Sequence, residues 1–212
     1  LPIFTGSNSS STVIGELGAT WVGGLVGFND ATGTIDTSYA SGSVSGTTSV
    51  GGLVGLNWGV VTTSFAEGSV SGHNEVGGLV GTNDGGIISD AYATGNVSGV
   101  SSVGGLVGLT DVYGEFGSID YTYAKGTVTG TSKVGGLIGE NSADAPTPIS
   151  ESYWSNSNNA GGRVGVGAGP ATDALGVTGV QGKTNTQLQT ASTFAAWDMT
   201  NNWIQYDGHT AP

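Results

Sequence analysis

The phrase Gly-Gly-Leu-Val-Gly begins at Gly23, Gly51, Gly77 and Gly104, and returns with Ile for Val at Gly135. Its starts are 28, 26, 27 and 31 residues apart, the period at which self-similarity marks a solenoid, propeller or array. A wider frame travels with it. Tyr39, Phe65, Tyr92 and Tyr123 are each followed five residues later by Val44, Val70, Val97 or Val128, and six residues after that by Val50, Val76, Val103 or Val134. Ile35, Val61, Ile88 and Ile119 stand four residues before the aromatics, as Ile149 does before Tyr153. Length varies only between the last glycine of each phrase and the next Ile or Val, where the offsets are 8, 6, 7, 11 and 10 residues.

A segment whose length never changes is one whose residues lie over their counterparts in the next copy. A segment that does change projects into solvent, where extra residues add little closure entropy. The invariant parts read as three short strands per coil: Gly42 to Gly46, Val50 to Gly55, and Ile35 to Ala40, with their equivalents. These are rich in the Val, Ile, Thr and Tyr that strands favour, with Gly and Ser at the corners. The predicted fold is all-β: a parallel β-solenoid of about five to six coils, ending in a small helix-plus-strand cap. A coil cannot bury its apolar side chains alone, but stacking gives them a shared core. In a straight third strand, Ile35, Thr37 and Tyr39 share a face, which places the aromatics inward. A propeller blade needs about 40 to 50 residues, more than the period allows.

The phrase itself poses a question. A straight strand puts Val50 and Val54 on one face and Leu53 on the other. A bend at the glycine pair, sterically cheap for glycine, turns Leu53 inward and is the favoured reading. Without it, Leu25, Leu53, Leu79, Leu106 and Leu137 form an exposed apolar stripe, which would be an association surface.

Composition narrows the function classes. The 212 residues include 41 glycines and no cysteine, with 16 acids against 4 bases for a net charge of −12. Nucleic acid is excluded as a partner, because its affinity comes from Lys and Arg on phosphates; anionic membranes are disfavoured likewise. No disulfide or thiolate–metal framework can form, and no apolar run approaches the ~20 residues of a membrane helix. The first residue is Leu1 and no signal peptide precedes it, so a processed or excised chain is expected. Low charge with abundant Ser, Thr, Asn and Gly suits an extracellular or cell-surface setting.

Four regions follow. Residues 1–20 are a lead-in and partial coil, drawing on Thr12, Val13, Ile14 and Leu17; residues 21–154 are the repeats. Residues 155–183 are a Gly/Ser/Asn-rich loop, and residues 184–212 a C-terminal cap. In the cap, Thr184 and Gln187 have capping-box spacing ahead of a helix over 185–196. A strand from Trp203 to Tyr206 follows, with Trp197 and Trp203 available to seal the last coil. Nothing in residues 1–20 reads as a strong N-terminal cap, so either the cap lies in sequence outside this chain, the favoured reading, or another molecule covers that end, engaging Leu1 to Phe4 by strand addition.

The units Val22 to Gly27, Val50 to Gly55, Val76 to Gly81, Val103 to Gly108 and Val134 to Gly139 resemble the GLUG motif, a repeat of bacterial secreted and surface proteins. Ser38 to Ala40, Ser64 to Ala66 and Ser152 to Trp154 are similar to its usual continuation. The resemblance implies an exported, adhesin-like setting and no catalytic residues.

Two residues past the phrases stand Asn29, Asn57, Asn83 and Asn141, with Thr110 in the fourth; a stacked Asn row can bond from coil to coil. Trp58, Tyr113 and Phe116 in the variable loops are candidate ligand contacts, because aromatics there can stack on sugars or proteins. Asp30, Asp84, Asp111, Glu115 and Asp144 supply oxygens suited to calcium. No calcium-binding repeat or twelve-residue loop accompanies them, so no cofactor is expected beyond that option. His73 and His209 lack a nucleophile motif, and Glu75 and Lys133 read as solvated surface. Asn8 and Asn96 begin sequons that matter only in a eukaryotic secretory route. The reading is a non-enzymatic structural or adhesive module, a stalk or filament subunit, whose partners are a host or neighbouring-cell surface or copies of itself. The alternative is a carbohydrate-binding or carbohydrate-cleaving solenoid that uses the variable loops.

Overall fold

The computed structural model describes residues 3–111, 117–142, 146–159, 164–168 and 179–197. They form a parallel β-solenoid of about six coils, and every strand pairing is parallel. Three sheets of eleven, ten and five strands run along it. A complete coil contains Thr34–Asp36, Tyr39–Ala40, Val44–Ser45, Thr48–Gly51 and Val54–Asn57. It is therefore three-sided, with two sides bent. The bends fall at Thr37–Ser38 and at Gly52–Leu53.

Register is kept residue for residue except where Val164–Ala168 joins Ser132–Asn141, a pairing whose register shifts between Gly135 and Ile138. Val54 lies between Val26 and Val80, Phe65 between Tyr39 and Tyr92, and Val70 between Val44 and Val97. The coil spacing is about 4.8 Å, so six coils rise roughly 29 Å.

The bend at the glycine pair is real, and its cause is close backbone approach. A Cβ on Gly52 would lie 2.1 Å from the carbonyl oxygen of Gly78, and one on Gly78 would lie 2.0 Å from that of Gly105. The third glycine of the phrase is needed too: a Cβ on Gly81 would sit 2.4 Å from the Ser49 carbonyl carbon. The bend turns Leu53, Leu79, Leu106 and Leu137 fully inward, so no leucine stripe is exposed. It also divides the core. Val22, Val44, Val50, Val70, Val76, Val97, Val103 and Val128 pack as one valine column beside the five-stranded sheet. The Leu and Val that follow the glycine pair join Ile35, Val61, Ile88, Ile119 and the alanines in a second.

The other bend corrects an expectation. Thr37, Thr63, Asp90, Tyr121 and Glu151 all have left-handed backbone, with φ of 40° to 53°, which resets the alternation. Ile35, Ser38 and Ala40 point inward, whereas Tyr39 points out. The aromatics therefore stand on the outside rather than in the core. A second left-handed column, Trp21, Ser49, Glu75, Ser102 and Lys133, runs along the glycine-phrase sheet. Such conformations cost about 1–3 kcal/mol each in non-glycine residues. They persist because each is flanked along the stack by residues of the same backbone conformation.

The ends are more regular than predicted. Ile3–Thr5, Asn8–Ser9 and Val13–Ile14 pair in register with the next coil, so the lead-in completes a coil. Val164–Ala168 pairs with Ser132–Asn141, and Val180–Lys183 with Ser152–Ser155, so solenoid strands continue inside the region read as loop. The predicted helix over 185–196 is instead two 3-10 turns, Gln187–Gln189 and Ala191–Phe194, separated by extended Thr190. The reciprocal capping-box bonds do form, Thr184 N–H to Gln187 Oε1 and Gln187 N–H to Thr184 Oγ1. Three threonines and a serine within 185–196 give the segment too little helix propensity to continue. The predicted strand Trp203 to Tyr206 lies outside the described residues.

Trp154 plugs the C-terminal end of the core. It takes the register position of Ala124, is 6% exposed, and lies against Gly136, Gly165 and Gly182. Two stability measurements check this account by chemical denaturation. Gly78→Ala is expected to destabilise by about 3 kcal/mol or more, since backbone must move to admit the methyl. Trp154→Ala is expected to lose about 3–5 kcal/mol.

Candidate functional site

Three side-chain columns carry the polar and aromatic chemistry of the repeats. The first is internal. Asn29, Asn57, Asn83, Thr110 and Asn141 are buried and share one register position. Asn29 Nδ2 donates to Asn57 Oδ1 at 2.8 Å, and Asn57 Nδ2 donates to Asn83 Oδ1 at 2.7 Å. The row also closes the variable loops: Asn83 donates to the Gly86 carbonyl, and Asn141 donates to Thr147 O while accepting from Thr147 N–H. Thr110 keeps its place by donating to Asn141 Oδ1 at 2.6 Å.

The second column is a seam on the outer side of the glycine-phrase sheet. The bend brings the residue two before each phrase against the residue just after it, seven positions on. Trp21 thereby meets Phe28 with ring centroids 5.8 Å apart, Thr82 Oγ1 donates to Glu75 Oε2 at 3.0 Å, and Lys133 pairs with Glu140 at 2.7 Å. Contacts between coils close the rest: Ser49 donates to Glu75, Thr82 Oγ1 lies 3.0 Å from Ser49 Oγ, and Ser102 donates to Glu140. Glu75 and Lys133, read from the sequence as solvated surface, are thus members of a bonded seam. At its N-terminal end the seam is aromatic, and Trp58 joins it, edge-on to Phe28 at 4.9 Å and 89°.

The third column is an aromatic ladder on the eleven-stranded sheet. Tyr39, Phe65, Tyr92 and Tyr123 stack at 4.8–4.9 Å with interplanar angles of 2–9°. The C-terminal turns do not sit over the end of the solenoid. They lie along its flank, where Leu188, Phe194 and Trp197 pack on Tyr123 and Tyr153. Trp197 stacks on Tyr153 at 5.5 Å and donates its indole N–H to Glu151 O. Among the described residues they cover the C-terminal rungs only, and Tyr39 remains exposed.

Electrostatics set the chemical state of these columns. Burial pushes the Tyr123 phenol well above its ordinary range, with the Tyr92 and Glu67 charges adding to the effect. Burial also raises Tyr92, and it raises Tyr153 alongside the bond to Glu151. The phenols therefore stay neutral, and that of Tyr153 donates to Glu151 Oε2 at 2.8 Å. Hydrogen bonds from Thr32 hold Asp30 below the usual carboxylate range, so it is ionised at neutral pH.

Of the residues singled out from the sequence, Trp58 is exposed at 44%, beside Phe28. Tyr113 and Phe116 lie outside the described residues, as do Glu115, Asp144 and His209. Among the described residues no three His, Asp or Glu side chains group as a metal site, and no helix is long and apolar enough to cross a membrane. An open groove lies on the five-stranded sheet, lined by Ser69, Val70, Ser71, Asn96, Val97, Ser98, Thr127 and Thr129. Trp21 and Phe28 were missed because straight-strand alternation ignores contacts made across a bend. The seven-residue spacing over the phrase was the available signal.

Residues 18–45 and 72–98 match the family described as the GLUG motif. The chain thus carries GLUG repeats, and the two matched stretches include its first and third phrases. No curated protein and no solved structure matches it.

Asn57→Ala leaves the Asn29 amide and the Asn83 carbonyl without each other's bridge, and each orphaned buried group costs about 1–3 kcal/mol. A loss of about 3 kcal/mol is expected in chemical denaturation. Trp197→Ala should release the C-terminal turns, read as faster proteolysis near residue 190 with the solenoid intact.

Proposed function

From a chain that carries GLUG repeats on a parallel solenoid, we propose a non-enzymatic structural or adhesive module that works at a cell surface or outside the cell. The observation that carries this reading is where the polar side chains of the repeat go. The Asn row bonds from coil to coil, and Ser38 and Ser64 act similarly, the Ser38 N–H donating to Ser64 Oγ. Ser49, Glu75, Thr82, Ser102 and Glu140 bond to one another across the seam. These Asn, Ser, Thr and Glu side chains are engaged in bonds that hold coils together, which suits a rigid stalk or spacer.

The module joins end to end with copies of itself through the first coil. Among the described residues that coil pairs with the coil that follows it, and it carries five of their nine exposed large apolar side chains: Phe4, Ile14, Leu17, Trp21 and Phe28. Unpaired parallel strands beside such residues are a template for further pairing.

Sedimentation and negative-stain microscopy across protein concentration test the joining. Rods that lengthen with concentration are expected, and Ile14→Asp with Leu17→Asp should leave single units. Monomers at every concentration would reject end-to-end joining. Beads coated with the protein are expected to hold to cells, and equal retention of uncoated beads would reject the adhesive role.

A further inference from the structure

We propose that Asn96 is the acceptor of an N-linked glycan, added from a diphosphate-activated sugar before the coils stack and then carried on the outer face of the five-stranded sheet. The site lies outside the columns that hold the coils together, and the proposal does not depend on the structural or adhesive reading.

Asn-x-Ser or Asn-x-Thr, with x other than proline, is the acceptor triplet for transfer of a glycan to the Asn amide. The chain has two, Asn8-Ser9-Ser10 and Asn96-Val97-Ser98. Such triplets are common in Ser-rich chains, so the setting decides. Val97 is buried in the valine column. Because a strand alternates its faces, Asn96 and Ser98 on either side of it both point outward, and both are exposed. Asn96 is also oriented. Its Oδ1 accepts the Thr127 N–H at 3.0 Å, and among the described residues its Nδ2 makes no hydrogen bond. In the buried Asn row the reverse holds, since Asn29 and Asn57 each commit Nδ2 to the next coil. At Asn96 the nitrogen that would bear the sugar is the free one. The open groove beside it, lined by Ser69, Ser71, Thr127 and Thr129 among others, leaves space for the first sugar.

In the transfer, Asn96 Nδ2 attacks the anomeric carbon of the sugar. The N–C bond forms as the bond from that carbon to the diphosphate oxygen breaks. The diphosphate leaves with the electron pair, and the amide proton passes to a base of the transferase. Nothing is oxidised or reduced. The chemistry is the same whether a lipid or a nucleotide carries the diphosphate, so the site is not tied to a eukaryotic secretory route. The fold fixes the order of events. Asn96 O accepts the Val70 N–H, and the Val97 N–H donates to Thr127 O. The triplet is thus paired on both edges, and a transferase cannot grip it as a free segment once the coils have stacked. The sugar must come first, and the coils then close with it outside, where neither the valine column nor the Asn row has to move. Asn8 differs: among the described residues Asn8–Ser9 pairs with Tyr39–Ala40 alone. It is the comparison site within the same chain.

The full chain is translated in vitro in two arms. One contains membranes holding a transferase and its lipid-linked sugar, the other a soluble transferase with a nucleotide-linked sugar. Purified folded chain is offered to both as a separate acceptor. Peptide mass spectrometry reads occupancy at Asn96 and at Asn8. A sugar mass is expected on the Asn96 peptide of chain translated with the transferase, and none there when the folded chain is the acceptor. The arm that labels Asn96 names the carrier. Asn96→Gln and Ser98→Ala should each abolish that label, the second with the acceptor amide still in place. Thermal melts check that both variants and the glycosylated chain fold. No sugar on Asn96 in either arm, with a control acceptor peptide labelled, overturns the proposal, whether or not Asn8 is labelled. So does a label found only on chains that fail to fold, or equal labelling of Asn96 in nascent and folded chain.

Discussion

Parallel backbone pairing between consecutive coils, kept in register from the first coil to Ser132–Asn141, is the interaction from which the other features follow. It brings the same atom of each coil to the same place about 4.8 Å further on. Whatever a position can tolerate once, it must tolerate in every coil. At the glycine phrase the main chains of neighbouring coils approach so closely that a methyl on Gly52 or Gly78 would enter the next coil's backbone. Glycine is therefore demanded there by packing rather than by flexibility. The tight bend it permits then divides the apolar interior into two columns.

The same stacking makes tolerable what would be costly alone. Two columns of non-glycine residues adopt left-handed backbone, including Trp21, Glu75 and Tyr121. In an isolated coil each would strain the chain by about 1–3 kcal/mol. Here the strain is shared with the bends that set the outward faces. Buried Asn is treated similarly: an amide with no partner would be a liability inside the core, and repetition supplies an identical amide one coil away. Polar groups become fasteners along the axis. The aromatic ladder differs only in lying outside, where Phe194 and Trp197 cover its C-terminal rungs and leave others open.

Much of this was legible in the residues. The fixed spacings from Ile35 to Tyr39, Val44 and Val50 pointed to stacked coils, and the variable interval pointed to loops. The Asn row could be located from its place two residues past each phrase. Less legible were the two bends. Alternation along a straight strand put Tyr39 inward and gave Leu53 two options, because period-two reasoning has no term for a left-handed residue such as Thr37. The meeting of Trp21 with Phe28 depends on the second bend and was invisible for the same reason. At the C-terminus the capping pair Thr184 and Gln187 was read correctly, but local signals could not reveal that the segment docks sideways on Tyr153.

By itself the sequence determined the architecture class, the coil period, the residues that must be glycine and the sign of the charge, since each depends on repetition or on composition. Tertiary structure decided which way the side chains face at the bends, which column meets which across the seam, and where the C-terminal turns lie. Those outcomes depend on backbone handedness and on contacts between segments seven to several tens of residues apart, and spacing along one strand carries no record of either.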